Sequence, residues 1–249
     1  MKAICVIPAR LESTRLSRKL LRPLAGKLLI QYAYENARQA KKPARVLVAC
    51  DHEELMKAVQ LFGGEAVLTG TYHQSGTERI AEVAEKYPAD VYVNLQADEP
   101  LLHSSVVDDL ISAFEMEPNL KMATACIRMR EEADFQNPNV VKVVKNQKDE
   151  ALYFSRSPIP HDREKAPVDF FKHLGIYAYA RDFLIQIPKL APSILEKREK
   201  LEQLRVLDNG FTIKVLETAY DSIGVDTEDD LKKVEKILKT NLHVKGSRA

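Results

Sequence analysis

The sequence predicts an α/β fold: a mixed, mostly parallel sheet flanked by helices, with a small antiparallel lobe. Short apolar runs alternate with segments of helical spacing through the first half of the chain. This alternation stops between residues 122 and 180, where strand-like runs follow one another directly. Alternating strands and helices favour a parallel sheet covered on both faces, whereas consecutive strands favour antiparallel pairing. We therefore expect one domain over residues 1–249, with residues 122–180 contributing the smaller lobe.

The first half contains four predicted strand–helix units. The strands are short apolar runs, in order "AICVIP", "RVLVAC", "EAVLT" and "DVYVNLQ". The helices have apolar residues at helical spacing, in order "LLIQYAYENARQA", "EELMKAVQLF", "TERIAEVAEKY" and "SSVVDDLISAFEME". Gly63-Gly64 ends the second helix, and Pro88 and Pro118 follow the third and fourth. Each helix can return the chain to start the next parallel strand.

The second half begins with four strands and ends with a strand between two helices. The strands without long helices between them are "KMATACIRM", "VVKVVKN", "ALYFSR" and "KHLGIYAYA". One long helix is expected over residues 193–210, "SILEKREKLEQLRVLDNG", with Gly210 at its end. The strand "FTIKVLET" and the helix "TEDDLKKVEKILKT" close the fold, and "NLHVKGSRA" is expected to fray.

The composition excludes several classes of function. The formal net charge is +1, so no global field favours nucleic acid or an anionic membrane. The three cysteines lie in apolar segments without CxxC spacing, which favours buried thiols in a reducing compartment. No signal-peptide pattern or membrane-length apolar run is present, so we expect a soluble cytoplasmic protein.

A dense group of cations follows the first strand, within "IPARLESTRLSRKLLRPLAGK". The cations are Arg10, Arg15, Arg18, Lys19, Arg22 and Lys27. A loop between a buried strand and a helix is a common phosphate site, but the glycine-rich motifs GxGxxG and GxxxxGK[ST] are missing. Side chains would therefore have to supply the contacts, and Arg10, Arg15 and Lys19 are the best candidates because ammonium and guanidinium groups bind phosphate oxygens. A solvated basic turn is the alternative.

Two separate carboxylates could hold Mg²⁺. Asp98 lies in "QADEP" directly after a predicted central strand, where a hard cation could be bound by oxygen ligands. Asp226 lies in "GVDTEDD", where Thr227 and Asp230 form a capping box that does not need Asp226. The alternatives are an ordinary turn for the first segment and a helix cap for the second.

The remaining polar candidates are individually ambiguous. "SGTE" at residues 75–78 is a capping box, but Gly76 could also admit a ligand to the backbone, and Arg79 is a donor one turn further on. A lone histidine in a strand, His173, is more often structural than catalytic. No arrangement typical of a Ser or Cys nucleophile can be recognised, so the chain is expected to position phosphates with cations and Mg²⁺.

Taken together, eight segments resemble the CMP-Kdo synthetases, the 3-deoxy-manno-octulosonate (Kdo) cytidylyltransferases. They occur in the family's order and cover residues 4 to about 235: "IPARLESTRL", "SGTERIAEV", "VNLQADEPL", "NPNVVKVV", "ALYFSRSPIP", "KHLGIYAY", "LEQLRVLDNG" and "GVDTEDDL". The resemblance implies a nucleotidyltransferase-like fold of the nucleotide-diphospho-sugar transferase type, in which the small lobe makes a homodimer. It also implies the reaction CTP + Kdo → CMP-Kdo + diphosphate, which serves lipopolysaccharide biosynthesis.

The resemblance assigns roles by motif position. Catalysis falls to Arg10, Lys19, Asp98 and Asp226. The nucleotide is bound by Arg10, Arg15, Lys19, Ser75, Gly76 and Arg79. The sugar is surrounded by Gln96, Arg156, Arg163, His173, Tyr177, Glu202 and Gln203, with Arg156 or Arg163 pairing with its carboxylate. Mg²⁺ is held by Asp98 and Asp226, and the partners are the two small substrates and a second copy of the chain.

Two departures from the family pattern bear on activity. Ser17-Arg18 replace the usual Pro-Gly in the basic loop, and Ala97 replaces the usual glycine beside Asp98. If position 97 requires a positive φ, Ala97 strains the turn. Two alternatives remain open: the same reaction on 8-amino-Kdo or another acidic sugar, and a CTP-binding homologue without catalysis. A nucleotidyltransferase acting on a sugar phosphate fits the sugar-side motifs less well.

Overall fold

The computed structural model describes residues 1–13, 16–163 and 169–246. The strands are β1 (Ala3–Ala9), β2 (Pro23–Leu24), β3 (Lys27–Leu28), β4 (Arg45–Cys50), β5 (Ala66–Leu68), β6 (Val91–Asn94), β7 (Met122–Arg128), β8 (Lys142–Lys145), β9 (Ala151–Ser155), β10 (Phe171–Ala180) and β11 (Lys214–Thr218). The helices are α1 (Leu29–Gln39), α2 (Glu53–Leu61), α3 (Gly76–Lys86), α4 (Ser104–Met116), α5 (Glu132–Gln136), α6 (Arg181–Gln186), α7 (Ile194–Glu199), α8 (Gln203–Asp208) and α9 (Glu228–Gly246). Two short 3-10 helices span Lys19–Leu21 and Ile187–Lys189.

The predicted mixed, mostly parallel sheet is confirmed. Its main path has the order β11-β7-β10-β6-β1-β4-β5. Within the described residues, β10 alone runs against the other strands of this path, since it pairs antiparallel with both β6 and β7. The antiparallel hairpin β8–β9 joins the sheet through β10. Thus β7 and β10 are part of the central sheet, and the assignment of residues 122–180 to a dimerisation lobe stays a prediction.

Two hydrophobic clusters cover the two faces of the sheet. Along β1, Ala3, Cys5 and Ile7 pack into a cluster with α1 and α4. Ile4 and Val6 point to the opposite face and pack into a second cluster with α3 and α6. A continuous apolar strand is therefore required, because successive side chains alternate between two buried faces. The three cysteines are free and buried, as expected.

The sheet places several loops at one edge. β4 and β6 both pair parallel with β1, so the segments that follow all three strands emerge on the same side. The backbone N–H of Leu11 donates to Asp51 Oδ1 over 2.9 Å, which ties the loop after β1 to the loop after β4. This edge is where ligands bind in open α/β sheets.

The prediction of one long helix over residues 193–210 is wrong. Two short helices, α7 and α8, occupy this stretch, and Lys200 separates them in the left-handed conformation at φ 55° and ψ 46°. Ser193 and Glu196 form a capping box at the start of α7. The break buries Leu201 and Leu204 in the core and turns Glu202 and Gln203 towards the site described below. Tertiary packing here overrides a continuous helical pattern.

Smaller differences occur elsewhere. The hairpin β2–β3 was not predicted; Ala25 and Gly26 both have positive φ in its two-residue turn, which is the type I′ geometry. α5 and α6 are short helices that the strand-rich reading of the middle region did not include. The closing helix α9 continues to Gly246 instead of ending before the expected frayed tail.

Candidate active site

Two acidic residues from distant parts of the chain meet at Lys19. Its Nζ donates to Asp98 Oδ2 over 2.6 Å and to Asp226 Oδ1 over 3.0 Å. Asp98 follows β6, and Asp226 immediately precedes the capped start of α9. The backbone joins these two segments, since the N–H of Val225 donates to the carbonyl of Asp98 over 2.9 Å. Both carboxylates therefore point at one cationic position.

Lys19 is buried and charged. Burial by itself lowers the pKa of Lys19, but the charges and hydrogen bonds of Asp98 and Asp226 outweigh it and leave that pKa above its ordinary value. The 3-10 helix Lys19–Leu21 holds the side chain in place at the end of the basic loop. A group that stays cationic here can offset negative charge on a bound phosphate.

Beside this triad lies a cavity of about 300 Å³. The side chains of Arg10, Lys19, Arg79 and Asp98 line it, together with Gly76. Arg10 is exposed at its rim. With Glu12, which also lines it, the cavity combines three cationic side chains with two carboxylates, a lining suited to an anion that is accompanied by a metal ion.

Arg79 is a buried cation with unused donors. Its Nη1 donates to Thr69 Oγ1 over 2.6 Å and to the Gly70 carbonyl over 3.2 Å. Its Nε and Nη2 have no hydrogen-bond partner among the described residues, and the nearest carboxylate oxygen, Asp51 Oδ2, is 3.9 Å from Nη2. Burial, opposed by Asp51 and reinforced by Arg10, lowers the pKa of Arg79. Unsatisfied donors of a buried guanidinium are costly, so their position at the cavity favours a ligand that accepts from them.

The start of α3 closes one wall of this cavity. Ser75 caps the helix by accepting from the backbone N–H of Glu78 over 3.2 Å, as the capping box predicts. Gly76 follows at the first helical position, and a Cβ there would lie 3.1 Å from Pro8 Cγ. The glycine is thus required for close packing against β1, whatever its role towards a ligand.

The other cations of the basic loop have different positions. Arg15 lies outside the described residues. The remaining three form ion pairs at the surface: Arg18 with Glu54, Arg22 with Glu228 and Lys27 with Glu35. Arg18, which stands where the family usually has glycine, adopts φ 52° and ψ 33°, a left-handed conformation that glycine adopts without cost. The extra cation is therefore engaged by Glu54 and does not line the cavity.

A second, smaller cavity of about 70 Å³ adjoins the first and shares Gly76 and Gln96 with it. Four of the predicted sugar-binding residues line it, namely Gln96, Tyr177, Glu202 and Gln203. The buried Nε2 of Gln203 has no hydrogen-bond partner among the described residues. Burial and the neighbouring Tyr179 and Glu202 raise the pKa of Tyr177, so its hydroxyl is a neutral donor.

The other three predicted sugar residues do not line this cavity. His173 lies behind Tyr177, with ring centroids 5.3 Å apart, and its Nε2 is 3.0 Å from Thr124 Oγ1. Burial lowers the pKa of His173 to about 3, so this ring is neutral. Arg156 donates through Nε to the Glu199 carbonyl over 2.8 Å, and Arg163 is exposed. Their roles towards a sugar stay predictions.

Ala97 does not strain the turn beside Asp98. Among the described residues other than glycine, the positive φ values belong to Arg18, Ala25, Asp149 and Lys200. Ala97 is buried and is not one of them, so an alanine is tolerated at this position. The departure from the family pattern leaves the backbone at Asp98 in an ordinary conformation.

Sequence reasoning missed several residues that line the smaller cavity. They are Thr77, Asn94 and Tyr179. Thr77 donates to Glu202 Oε2 over 2.5 Å, but the sequence pattern indicates only a helix cap at this position. Asn94 ends β6, and a polar residue at the carboxyl end of a central strand was a usable signal. Tyr179 could not be found, since its strand pairing sets its orientation.

The described part of the chain contains no group of three or more His, Cys, Asp or Glu side chains that could hold a metal ion. Asp98 and Asp226 are a pair, and Mg²⁺ is commonly held by one or two carboxylates together with substrate phosphates. None of the described helices has the length and apolar character needed to cross a membrane.

Comparisons with known proteins agree with this geometry. The family model described as cytidylyltransferase matches residues 4–218. The chain is 45% identical over 250 residues to the 3-deoxy-manno-octulosonate cytidylyltransferase of Geotalea uraniireducens (strain Rf4), covering 96% of this chain and 100% of that protein. It is 44% identical over 242 residues to the protein of the same name from Fusobacterium nucleatum, covering 97% and 98%.

A solved structure gives the same result. A CMP:2-keto-3-deoxy-manno-octonic acid synthetase complexed with CTP superposes with a TM-score of 0.93 at 43% identity, covering 97% of this chain and 100% of that one. The fold is therefore shared with this group of nucleotidyltransferases over 97% of the chain. The chain belongs to the cytidylyltransferase family, and within it to the 3-deoxy-manno-octulosonate cytidylyltransferases.

Proposed function

We propose that this protein activates the sugar acid Kdo through the reaction CTP + Kdo → CMP-Kdo + diphosphate. The observation that carries the proposal is the convergence of Asp98 and Asp226 on Lys19, beside a cationic cavity that shares Gly76 and Gln96 with a second, smaller one. The cationic cavity is suited to the triphosphate, and the smaller cavity to part of the sugar. The product would supply an activated Kdo for lipopolysaccharide biosynthesis in the cytoplasm.

This reaction requires the protein to stabilise negative charge. The anomeric hydroxyl of Kdo gives up its proton to water and attacks the α-phosphorus of CTP. The new C–O–P bond forms, and the bond to the bridging oxygen breaks as diphosphate leaves. Negative charge builds on the phosphoryl oxygens and on the leaving group. The side chains of Lys19, Arg10 and Arg79 line the cavity where that charge would develop, and two nitrogens of Arg79 have no hydrogen-bond partner among the described residues. Preorganised donors of this kind need no reorganisation during the reaction.

Mg²⁺ is the proposed cofactor. The donor set fits it, because Asp98 and Asp226 both direct a carboxylate oxygen to within 3.0 Å of one cationic atom, Lys19 Nζ. Two carboxylates plus phosphate oxygens are a typical ligand set for this ion. When bound, Mg²⁺ supplies Lewis acidity towards the phosphoryl oxygens. Lys19 would remain beside it as a second, fixed positive charge.

The sugar side is built from neutral and acidic groups. Glu202 accepts a hydrogen bond from Thr77 and presents its carboxylate to the cavity, where it can accept from sugar hydroxyls. Gln203 Nε2 and the neutral Tyr177 hydroxyl are available as donors. None of the described residues that line this cavity is cationic. Pairing of the sugar carboxylate with Arg156 or Arg163 is thus a separate part of the proposal.

Diphosphate release tests the proposal directly. We expect release from CTP, Kdo and MgCl2 together, and none when any one of the three is omitted or when EDTA is added. CMP-Kdo should form in equal amount, as measured by ³¹P NMR. Asp98→Asn should bind CTP without turnover, whereas Asp109→Asn, at an exposed position on α4, should behave as the unchanged protein. A folded protein that binds CTP and releases no diphosphate with Kdo would reject the proposed reaction.

The homodimer is a further part of the proposal. The resemblance assigns it to the lobe of residues 122–180, in which β9 presents an exposed apolar side chain, Leu152, at 61% relative exposure. Light scattering after gel filtration should give twice the mass of one chain. Leu152→Lys should then lower that mass, whereas Leu61→Lys, at a still more exposed site on α2, should leave it unchanged. A single-chain mass at micromolar concentration would contradict this part.

A further inference from the structure

We propose that Glu82 is a positioning residue for nucleotide binding. Its carboxylate fixes the loop of residues 70–74, and two backbone carbonyls of that loop hold the guanidinium groups of Arg10 and Arg79 at the edge of the larger cavity. Glu82 itself does not line either cavity. It would act on the ligand through these two arginines, and this inference rests on the proposed nucleotide site.

Two backbone carbonyls of the loop after β5 accept hydrogen bonds from the arginines. The Nη2 of Arg10 donates to the carbonyl of His73 over 2.5 Å. The Nη1 of Arg79 donates to the carbonyl of Gly70 over 3.2 Å. Both side chains carry several rotatable bonds, so an unanchored guanidinium would sample many positions. The His73 carbonyl for Arg10, and the Gly70 carbonyl together with Thr69 Oγ1 for Arg79, therefore set the positions from which the remaining N–H groups can reach a ligand.

Glu82 in turn holds both ends of this loop. Its Oε2 accepts from the backbone N–H of Gly70 over 2.9 Å and lies 2.6 Å from Nε2 of His73. These are the same two residues whose carbonyls bind the arginines. The Glu82 side chain is only 14% exposed, and α3 carries it one and a half turns beyond Gly76. The Glu82 carboxylate thus binds both loop residues, Gly70 and His73, whose carbonyls contact the arginines of the site.

The charge of Glu82 suits this role. Burial raises its pKa, but hydrogen bonds from Lys86, the Gly70 N–H and His73 outweigh burial and lower the pKa of Glu82 to about 2. The carboxylate is therefore ionised throughout the neutral range and can only accept hydrogen bonds. Lys86 Nζ donates to the other oxygen, Oε1, over 2.5 Å. Charge-assisted bonds of this kind are stronger than neutral ones, which favours a stiff loop.

The experiment compares variants of one helix. Glu82→Gln keeps a single accepting oxygen, and Glu82→Ala removes both. Glu85→Gln is the matched control, since Glu85 is exposed on the same helix. We measure the dissociation constant for CTP by calorimetry, the KM for Kdo at saturating CTP, and the melting temperature. Loss of the charge-assisted hydrogen bonds between Glu82 and the loop should weaken CTP binding by about 10-fold in Glu82→Ala and by less in Glu82→Gln. The control should match the unchanged protein.

A purely structural role would give a different pattern. It would lower the melting temperature while leaving the CTP dissociation constant of the folded protein unchanged, and that result would overturn the inference. A rise in the KM for Kdo equal to the rise in the CTP dissociation constant would also overturn the inference. His73→Gln, whose amide can replace the ring Nε2–H, should bind CTP more tightly than His73→Ala. If Glu82→Ala does not fold, Glu82→Gln and the two His73 variants decide the question.

The readouts separate this inference from the proposed reaction. Unchanged protein that binds CTP but does not turn over Kdo would reject the reaction and leave the role of Glu82 open to test by calorimetry. Folded Glu82 variants with unchanged CTP binding would reject the role of Glu82 and leave the reaction intact. Either outcome can therefore be assigned to one proposal.

Discussion

Lys19 is the residue on which the acidic loops converge, so its replacement should affect the reaction more than the fold. Lys19→Met keeps the length of the side chain and removes the charge that lies 2.6 Å from Asp98 and 3.0 Å from Asp226. Losing one preorganised donor typically costs about 100-fold or more in kcat. We expect a loss of that size in the diphosphate assay.

Lys27→Met is the matched control for that variant. Lys27 belongs to the same basic loop and pairs with Glu35 at the surface, where ion pairs contribute little. Its kcat should equal that of the unchanged protein. A Lys19→Met protein with more than about a tenth of the normal kcat would show that Lys19 serves mainly to separate two carboxylates.

His173 should make the protein sensitive to acid. An unfolded chain protonates a histidine near pH 6.5, whereas the buried ring of His173 has its pKa lowered to about 3. Above pH 6.5 the ring is neutral in both states. As the pH falls from 6.5 towards 3, only the unfolded state takes up a proton, so the free energy of unfolding decreases. At pH 5 this linkage removes about 2 kcal/mol of the free energy of unfolding.

Urea unfolding at pH 7 and pH 5 measures that effect. His173→Gln keeps a polar group near Thr124 without a proton to gain, so its stability should fall less between the two pH values. His161→Gln removes an exposed histidine and should retain the full fall. If His173→Gln and the unchanged protein lose the same free energy, burial does not determine the protonation of His173.

The sequence could predict which charged residues at strand and helix ends would meet, but not which side chains would be buried. Lys19, Asp98 and Asp226 meet because their loops lie at one sheet edge, and their charge at strand and helix ends indicated this in the sequence. His173 and Arg156 lie in strand-like segments whose motifs suggested a sugar contact. The structure buries the first and engages the second with the Glu199 backbone. Such packing depends on distant neighbours that no local pattern contains.

The junction between α7 and α8 is the element where prediction from sequence is wrong, and it can be tested. Lys200 holds φ 55° at the end of α7, where glycine is the usual residue. Lys200→Gly should raise the free energy of unfolding by about 1 kcal/mol, because the left-handed conformation is unfavourable for a residue with a Cβ and not for glycine. Urea denaturation measures the change.

Lys197→Gly is the control for this element. Lys197 is exposed inside α7, and glycine there should lower the free energy of unfolding by about 1 kcal/mol. Opposite signs for the two glycine variants would confirm that the break lies at Lys200. If both variants are destabilised, the single helix expected from the sequence would be the better description of this stretch.

The break also explains why the pattern misleads. Residues 193–210 contain no proline, and their one glycine, Gly210, is the last residue, so nothing in their order marks an interruption. The parallel strands β1, β4 and β6 were predictable because each is a short apolar run bounded by polar segments. Helical breaks made by a lysine in the left-handed conformation carry no such signal.

On the scale of the whole molecule, the two faces of the sheet and the shared edge have separate roles. The clusters on the two faces fix the directions of β1, β4 and β6, and these directions bring the loops together at one edge. The site is therefore a consequence of topology: two cavities meet where α3 approaches β1. Gly76 and Gln96 lie in both cavities.

Gly76 should consequently affect both substrates. A Cβ at this position would lie 3.1 Å from Pro8 Cγ, so α3 or β1 would have to move by a few tenths of an ångström. Small displacements of positioned groups can cost large factors in rate. We expect Gly76→Ala to raise the KM for CTP and the KM for Kdo by roughly 10-fold each.

Gly224→Ala provides the comparison, because a Cβ there would make an ordinary contact, 3.7 Å from Glu99 Oε1. Both KM values should then stay unchanged, with melting temperatures measured for both variants. A rise in the KM for CTP alone in Gly76→Ala would mean that the smaller cavity is not the sugar site. A rise in neither would mean that substrates approach the sheet edge without contacting the start of α3.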